Sequence, residues 1–521
     1  MRKKLHKLLL WFFLVLITAC QDSHSQSLRQ EREVRAVWVA TFFQLDFPRE
    51  SSRSRVVLTE QWRQMIRQLR NMGINTLYFQ VRPSGDAFYK SELVPWSRFL
   101  SGQEGQGPEG DFDPLSVFIE MAHEAGMELH AWMNPLRVSA NLDTSLMAAN
   151  HIVKQHPDWT FAYGNRYYLD PGLPGVRWHI LNVVEELVTK YDVDGIHMDD
   201  YFYPYPSGGV AVPDSLTYSL YGQSYFDRED WRRSNVDRLI EEMAALIKQK
   251  KAYVKFGISP FGVWRNQVVD PSGSATSNKI TSYDHLYADV VKWLDEGWID
   301  YVVPQLYWEM DHPISDYETL LEWWAGKVQG NQLIIGHAAH KVGNGTGQAW
   351  QHPEELPRQM TLTFDYPEVR GHAFFRARSL LGNPLGIADS LRRDFARAVV
   401  LPEVATRIRR SSAQAVLKKP RLNKEGVRLC WNEGKADDHP YYYGVYRFDG
   451  KKKEWNKGQE VLLYTTPYGM EKRRFCFSDK HIRKGSTYTY WIVSFDRFHR
   501  KVGVSKPWVV EMGEKKVKVR Q

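Results

Sequence analysis

Residues 62–82 read WRQMIRQLRNMGINTLYFQVR, and this stretch holds the repeating unit of the fold. Trp62, Ile66, Leu69 and Met72 fall on one stripe at helical spacing. Gly73 follows where a left-handed helix cap favours glycine. Thr76–Arg82 is then rich in β-branched and aromatic residues, the composition of a strand. The connection Gly73-Ile74-Asn75 returns as Gly126-Met127-Glu128, ahead of another such run, and Gly297 occupies a third cap position. Between Glu33 and Leu401 eight runs alternate with helical stretches: Val34–Thr41, Thr76–Arg82, Glu128–Pro135, Gly195–Phe202, Lys255–Gly262, Tyr301–Trp308, Gln332–His340 and Gly371–Arg378. Ile180, Val183, Val184 and Leu187 form one intervening stripe, and Leu239, Met243 and Leu246 another. This α/β pattern predicts a (β/α)8 TIM barrel. An open doubly wound sheet is the alternative, but no glycine-rich phosphate loop follows the first run.

The remaining chain is of a different kind. After Leu401-Pro402 short alternating strands are predicted at Val427–Trp431, Tyr441–Phe448, Arg474–Phe477, Thr487–Phe495 and Lys506–Glu511. With Trp431 in the second strand and Tyr488-Thr489-Tyr490 in a later one, residues 402–521 look like a fibronectin type III-like β-sandwich. Cys430 and Cys476 each lie in one of these strands. A disulfide and two semi-buried thiols are both open readings. Of 521 residues, 43% are hydrophobic and 25% charged, a globular composition. A mean hydropathy of −0.48 excludes a polytopic membrane protein. Three cysteines exclude a disulfide scaffold and a cysteine-rich zinc array.

The net charge of +8 is unevenly placed. Residues 401–521 carry 28 Lys and Arg against 13 Asp and Glu, whereas residues 1–400 carry 41 against 48. The basic module, with Lys451-Lys452-Lys453, Lys472-Arg473-Arg474 and the tail Lys515–Arg520, suits contact with an anionic wall polymer as well as it suits a solvated face. Residues 1–20 resemble a lipoprotein signal peptide. Arg2, Lys3, Lys4 and Lys7 precede an apolar run too short to span a bilayer, which ends at Ile17-Thr18-Ala19-Cys20. Cys20 would take the lipid, and residues 21–32 read as a polar tether. The implied address is the bacterial cell envelope, lipid-anchored, where nucleic acid is not an expected partner.

In such a barrel the C-terminal ends of the strands carry the chemistry. Strand alternation places His197, Asp199 and Tyr201 on one face of the fourth strand, with Asp199 at the mouth and His197 beneath it. On the sixth strand Gln305, Tyr307 and Glu309 share a face, and Leu306 and Trp308 point away. Asp86 lies in the loop beyond Arg82, and Asp200 adjoins Asp199. Asp199, Glu309, Asp200 and Asp86 are therefore the candidate catalytic carboxylates. Two carboxylates, one protonated and one ionised, at an aromatic-lined mouth suit glycoside hydrolysis. Arg82, Trp132, Asn134, His197, Tyr201, Gln305, Tyr307, His337 and Arg376 are candidate substrate contacts, and Tyr203 and Trp308 are further groove aromatics. His337 and His340 are read as sugar hydrogen-bonders or satisfied core histidines rather than metal ligands; no cofactor is expected. No G-x-S-x-G elbow is present.

The segments Arg35-Ala36-Val37-Trp38, Gln80–Tyr89, Ala131–Pro135, Asp194–Pro204, Gly257–Gly262 and Val303–Trp308 resemble the bacterial glycosyl hydrolase-like family 10. The resemblance spans about residues 32–400. It implies a (β/α)8 glycosidase similar to divisome-associated lipoproteins that cleave denuded peptidoglycan glycans, strands stripped of stem peptides. A non-catalytic glycan-binding scaffold and a hydrolase of an exogenous polysaccharide are the alternatives. Asp194–Tyr201 also resembles the DGxDxDxE signature of chitinase-type enzymes. His197 and Asp199 fall on two Asp positions and Tyr201 on the Glu acid, so the proton donor is sought at Glu309, Asp86 or Asp200.

Overall fold

The structure is a computed structural model, and it describes residues 31–521 apart from 407, 437–438, 456–458, 470–473 and 514–516. The expected signal peptide, Cys20 and the tether up to residue 30 lie outside the described residues, as do Lys472, Arg473, Lys515 and Lys516. Strands β1 (Val34–Val39), β2 (Thr76–Arg82), β3 (Glu128–Met133), β4 (Gly195–Met198), β5 (Lys255–Ile258), β6 (Tyr301–Val302 and Gln305–Leu306), β7 (Gln332–His337) and β8 (Val369–Phe374) pair in parallel in that order. β8 closes on β1 in the register Val34↔Gly371 to Val37↔Phe374, so the sheet is a closed barrel. β6 is interrupted at Pro304, which has no N–H to give to the ladder. The strands begin where β-branched runs begin, except that β8 starts two residues before the expected Gly371.

The helical stripe that opened the sequence reading packs as expected. Helix α1 (Arg55–Asn71) buries Leu58, Trp62, Met65, Ile66 and Leu69. The Trp62 indole stacks on Phe118 at 4.7 Å and donates to the Phe118 carbonyl at 3.1 Å. Gly73, with φ +87°, turns the chain into β2, and a Cβ there would come within 2.5 Å of Phe395 Cβ.

The C-terminal module is a β-sandwich of two antiparallel sheets. One contains Ala413–Leu417, Arg421–Asn423, Gly426–Ala436 and Phe475–Asp479. The other contains Tyr442–Asp449, Val461–Thr465, Thr487–Phe495, Lys501–Val504, Trp508–Met512 and Val517–Arg520. Leu429, Trp431, Val445, Tyr490 and Ile492 fill the core between them. Cys430 and Cys476 stand directly opposite each other on neighbouring strands and are bonded, with Cα atoms 4.1 Å apart.

This module is seated under the barrel. One apolar cluster joins Ala36, Trp38, Tyr78, Tyr301 and Ile334 of the barrel to Tyr441, Tyr442, Tyr446, Val493 and Phe495 of the sandwich. Polar contacts cross the same boundary. His499 donates to Glu128, the first residue of β3, at 2.6 Å. Arg497 pairs with Asp192 at 2.7 Å. Arg32, the last residue assigned to the tether, donates to the carbonyls of Leu401 and His499 at 2.7 and 2.9 Å.

Candidate active site

At the opposite end of the barrel a cavity of about 450 Å³ opens over the strand ends. Its aromatic walls include Trp38, Phe42, Trp132, Tyr307, Trp308 and Phe375. Asp199 and Asp200 are the carboxylates among the described residues that line it, and Arg137 and Lys341 are the cations.

β4 ends at Met198, and the chain then turns: the Tyr201 amide donates back to Asp199 Oδ1 at 3.2 Å and the Phe202 amide to the Asp200 carbonyl at 3.1 Å. Strand alternation therefore stops one residue before Asp200, and both consecutive carboxylates face the cavity. Asp199 leans towards β3. Trp132 Nε1 donates to its Oδ2 at 3.0 Å, and Asn134 Nδ2 to its Oδ1 at 3.3 Å. The Arg137 amide donates to Asn134 Oδ1 at 2.8 Å, which fixes the side-chain amide with its nitrogen towards Asp199. Asp200 leans the other way. It takes a hydrogen bond from the Tyr205 hydroxyl and another from the Gln305 side chain, at the end of β6. Gln305 is held in turn by donating to the Ser259 carbonyl at 2.9 Å.

The electrostatics of the pair follow from its burial. Loss of water pushes the Asp199 carboxyl up to about 7, with the charge of Asp200 adding to the rise and Arg137 opposing it. Burial also raises Asp200, against the hydrogen bonds from Tyr205 and Gln305. Two adjoining carboxyls that both resist ionisation titrate as a pair, so one can keep a proton while its neighbour is an anion. Tyr201, beside them, is raised to about 12, chiefly by burial. The Arg137 guanidinium lies 4.9 Å over its ring.

Under the floor runs a buried polar column. Trp38 Nε1 donates to His197 Nε2 at 3.0 Å, which leaves the His197 proton on Nδ1. That nitrogen donates to the Tyr301 hydroxyl at 3.1 Å, Tyr301 to His130 Nδ1 at 2.7 Å, and His130 Nε2 to Glu128 at 3.0 Å. Burial drives His197 well below its usual range, so it is a neutral relay. Burial would raise Glu128, but Lys255, His499 and His130 together hold it well below the carboxylate range. His197 thus supports the cavity from beneath and does not line it.

The other expected residues are dispersed. Glu309 lies past Trp308 with its carboxylate against Gly347, at the position a Cβ there would occupy, and it is not among the cavity-lining residues. Alternation along β6 ends at Leu306, which is why Trp308 joins the cavity wall and Glu309 leaves it. Asp86 is buried in a separate small polar cavity with Ser84, Glu104 and His151. Arg82 is fully buried and donates to the Asn134 and Pro135 carbonyls. His337 faces the helix layer, bonded to His372 at 3.0 Å and stacked near Tyr317. Arg376 holds the loop after β1 through the Leu45 carbonyl and Asp46. Tyr203 is buried beside Asn235. Trp132, Tyr201, Gln305 and Tyr307 do line the cavity, and Asn134 supports Asp199 from behind.

Sequence reasoning missed Trp38, Phe375, Tyr205 and Lys341. Trp38 and Phe375 end or follow strands and were legible by position. Tyr205 and Lys341 come from loops and carried no periodic signal. No group of metal-binding side chains occurs among the described residues.

Comparison with known proteins places the chain among its relatives. It is 39% identical over 491 residues to the glycosyl hydrolase YngK of Bacillus subtilis (strain 168), covering 92% of this chain and 93% of that protein. It is 38% identical over 375 residues to the glycosyl hydrolase DigH of Escherichia coli (strain K12), covering 67% of this chain and 84% of that one. Among solved structures, the PgaB (BpsB) glycoside hydrolase domain from Bordetella bronchiseptica superimposes with a TM-score of 0.44 at 13% identity, over 69% of this chain and 98% of that chain. Residues 33–352 match the glycosyl hydrolase-like 10 family, and with two relatives near 40% identity over most of its length the chain belongs to that family.

Proposed function

We propose that the protein is a cell-envelope glycoside hydrolase that cleaves denuded peptidoglycan glycan strands, with Asp199 and Asp200 as its catalytic carboxylates. The observation that carries this reading is the pair itself: two adjoining carboxyls, one able to keep a proton, at the bottom of an aromatic-walled cavity. Flat indole and phenol faces pack against the apolar faces of sugar rings. The cations Arg137 and Lys341 add a preference. A muramyl sugar freed of its stem peptide carries a carboxylate, which a neutral polysaccharide lacks. Lys341 is lowered by burial, so a nearby anion would relieve the cost of its charge. Lipidation at Cys20 and anchoring to the envelope belong to the same reading and rest on the leader sequence.

The test is sugar release, followed by mass spectrometry, from denuded strands, intact peptidoglycan and neutral polysaccharides. Wild type is expected to release fragments from denuded strands and Asp199→Asn to bind them without turnover. Wild-type binding with no turnover on any glycan would make the protein a scaffold. Preference for a non-wall polymer would make it a hydrolase of exogenous polysaccharide.

A further inference from the structure

Glycosidases that use two carboxyl groups ordinarily place them on opposite sides of the scissile bond, so that one protonates the leaving oxygen while the other attacks, or activates water, from the far face. This cavity is built differently. Its two carboxylates are consecutive residues on one wall, both carried by the turn after β4. The facing wall, from the ends of β1 and β8, presents Trp38, Ala40, Leu45 and Phe375. Among the described residues, that wall offers no nucleophile. With both carboxylates on one wall, a group on the substrate itself can supply the attack.

We propose that the protein hydrolyses 2-acetamido sugars with the substrate's own acetamide as nucleophile, Asp199 holding the amide N–H and Asp200 serving as acid and then base. This deepens the glycosidase reading above and rests on it. The hydrogen bonds assign the roles. Every partner of Asp199 is an N–H donor: the Trp132 indole, the Asn134 amide and the Tyr201 backbone. These bonds favour the anion against the burial that raises the carboxyl, so when the proton of the pair sits on Asp200 the Asp199 carboxylate keeps a fourth lone-pair position for a further N–H. Asp200 is bonded to the Tyr205 hydroxyl, which can accept as well as donate, and burial favours its neutral form against the donors, so it is accommodated with or without its proton.

The step balances without a co-reactant other than water. The acetamide oxygen bonds to the anomeric carbon as the bond to the leaving oxygen breaks, and Asp200 gives that oxygen its proton. The resulting oxazolinium ion keeps its N–H on the Asp199 carboxylate. Water then adds to the anomeric carbon, Asp200 takes a proton from it, and the ring reopens to the acetamide. Two displacements at one carbon leave its configuration retained.

The experiment uses the full chain on denuded glycan strands and on the same strands after chemical N-deacetylation, with proton NMR of the first anomer released. Retained configuration is expected, with cleavage of the deacetylated strands lost by ~100-fold or more, the scale of a lost catalytic group. Asp200→Asn should lower kcat by about 10²–10⁴-fold on glycan and recover on an aryl 2-acetamido glycoside whose leaving group needs no proton. Asp199→Asn should stay slow on both. An inverted first product, or equal cleavage of deacetylated strands, overturns the inference while leaving the glycosidase reading intact. Loss of turnover in Glu309→Gln with full activity in Asp199→Asn would overturn it also. If wild type cuts no glycan at all, the glycosidase reading falls and takes this one with it.

Discussion

Asp199 takes up a proton more readily in the folded protein than an ordinary aspartate does, and that links the site to stability. Its carboxyl is raised from 3.8 to about 7, chiefly by burial. A raised carboxyl means that the folded state binds the proton more tightly than the unfolded chain. The stabilisation is therefore complete below about pH 4 and is lost as pH rises through about 7. Its size is on the order of a few kcal/mol, since each unit is worth about 1.4 kcal/mol and the proton is shared with Asp200. Asp199→Asn removes the titration. Unfolding at pH 4.5 and at pH 8 should show the variant gaining on wild type at the higher pH. A gap between the two proteins that is the same at both pH values would contradict the burial argument. Turnover should follow the same pair, with a bell-shaped profile whose alkaline limb lies above the usual carboxylate range, because burial raises both carboxyls.

Among the elements, strands were the most legible. Each barrel strand is buried on both faces and so reads as a β-branched or aromatic run whose start is marked by a glycine cap or a charged residue. Where a strand ends is a different matter. Alternation placed Asp199 at the mouth, but the rule lapsed with the turn at Asp200 and again at Pro304, so it put Glu309 on the inward face that the structure denies it and gave no sign that Asp200 turns inward beside Asp199. His337 shows the converse limit: period two separates inward from outward without saying which is which. In the sandwich, alternation gave the strands but not their neighbours, and pairing of Cys430 with Cys476 needed the register Trp431↔Phe475 to be known. The bond closes a separation of 46 residues. By the chain-entropy account that is worth about 4 kcal/mol, and about 2–4 kcal/mol is the usual yield. Thermal unfolding of Cys430→Ser/Cys476→Ser should show a loss in that range, and a reducing agent should lower wild type towards the variant without further effect on the variant.

For the whole molecule, the decisive boundary is the floor of the barrel, where the sandwich supplies part of the core. Glu128 is buried there with Lys255 at 2.8 Å, His130 at 3.0 Å and His499 at 2.6 Å. Three of these four residues belong to the barrel and one to the sandwich. The same carboxylate ends the column that rises through Tyr301 and His197 to Trp38 in the cavity wall. A module attached only as a spacer would melt by itself and leave the barrel untouched. Here its removal would strip Tyr441, Tyr442 and Phe495 from an apolar cluster that contains Trp38 and Tyr78. His499→Ala is the sharper probe, because it leaves the chain whole and removes one donor to a buried carboxylate. The expected cost is about 1–3 kcal/mol, the penalty for an under-satisfied buried group. It should appear in both modules at once: near-ultraviolet circular dichroism and protease resistance of the barrel and of the sandwich should fall together, at one lowered temperature. A barrel that keeps its wild-type midpoint while the sandwich melts separately would show that the floor contact is not part of the barrel's own folding unit.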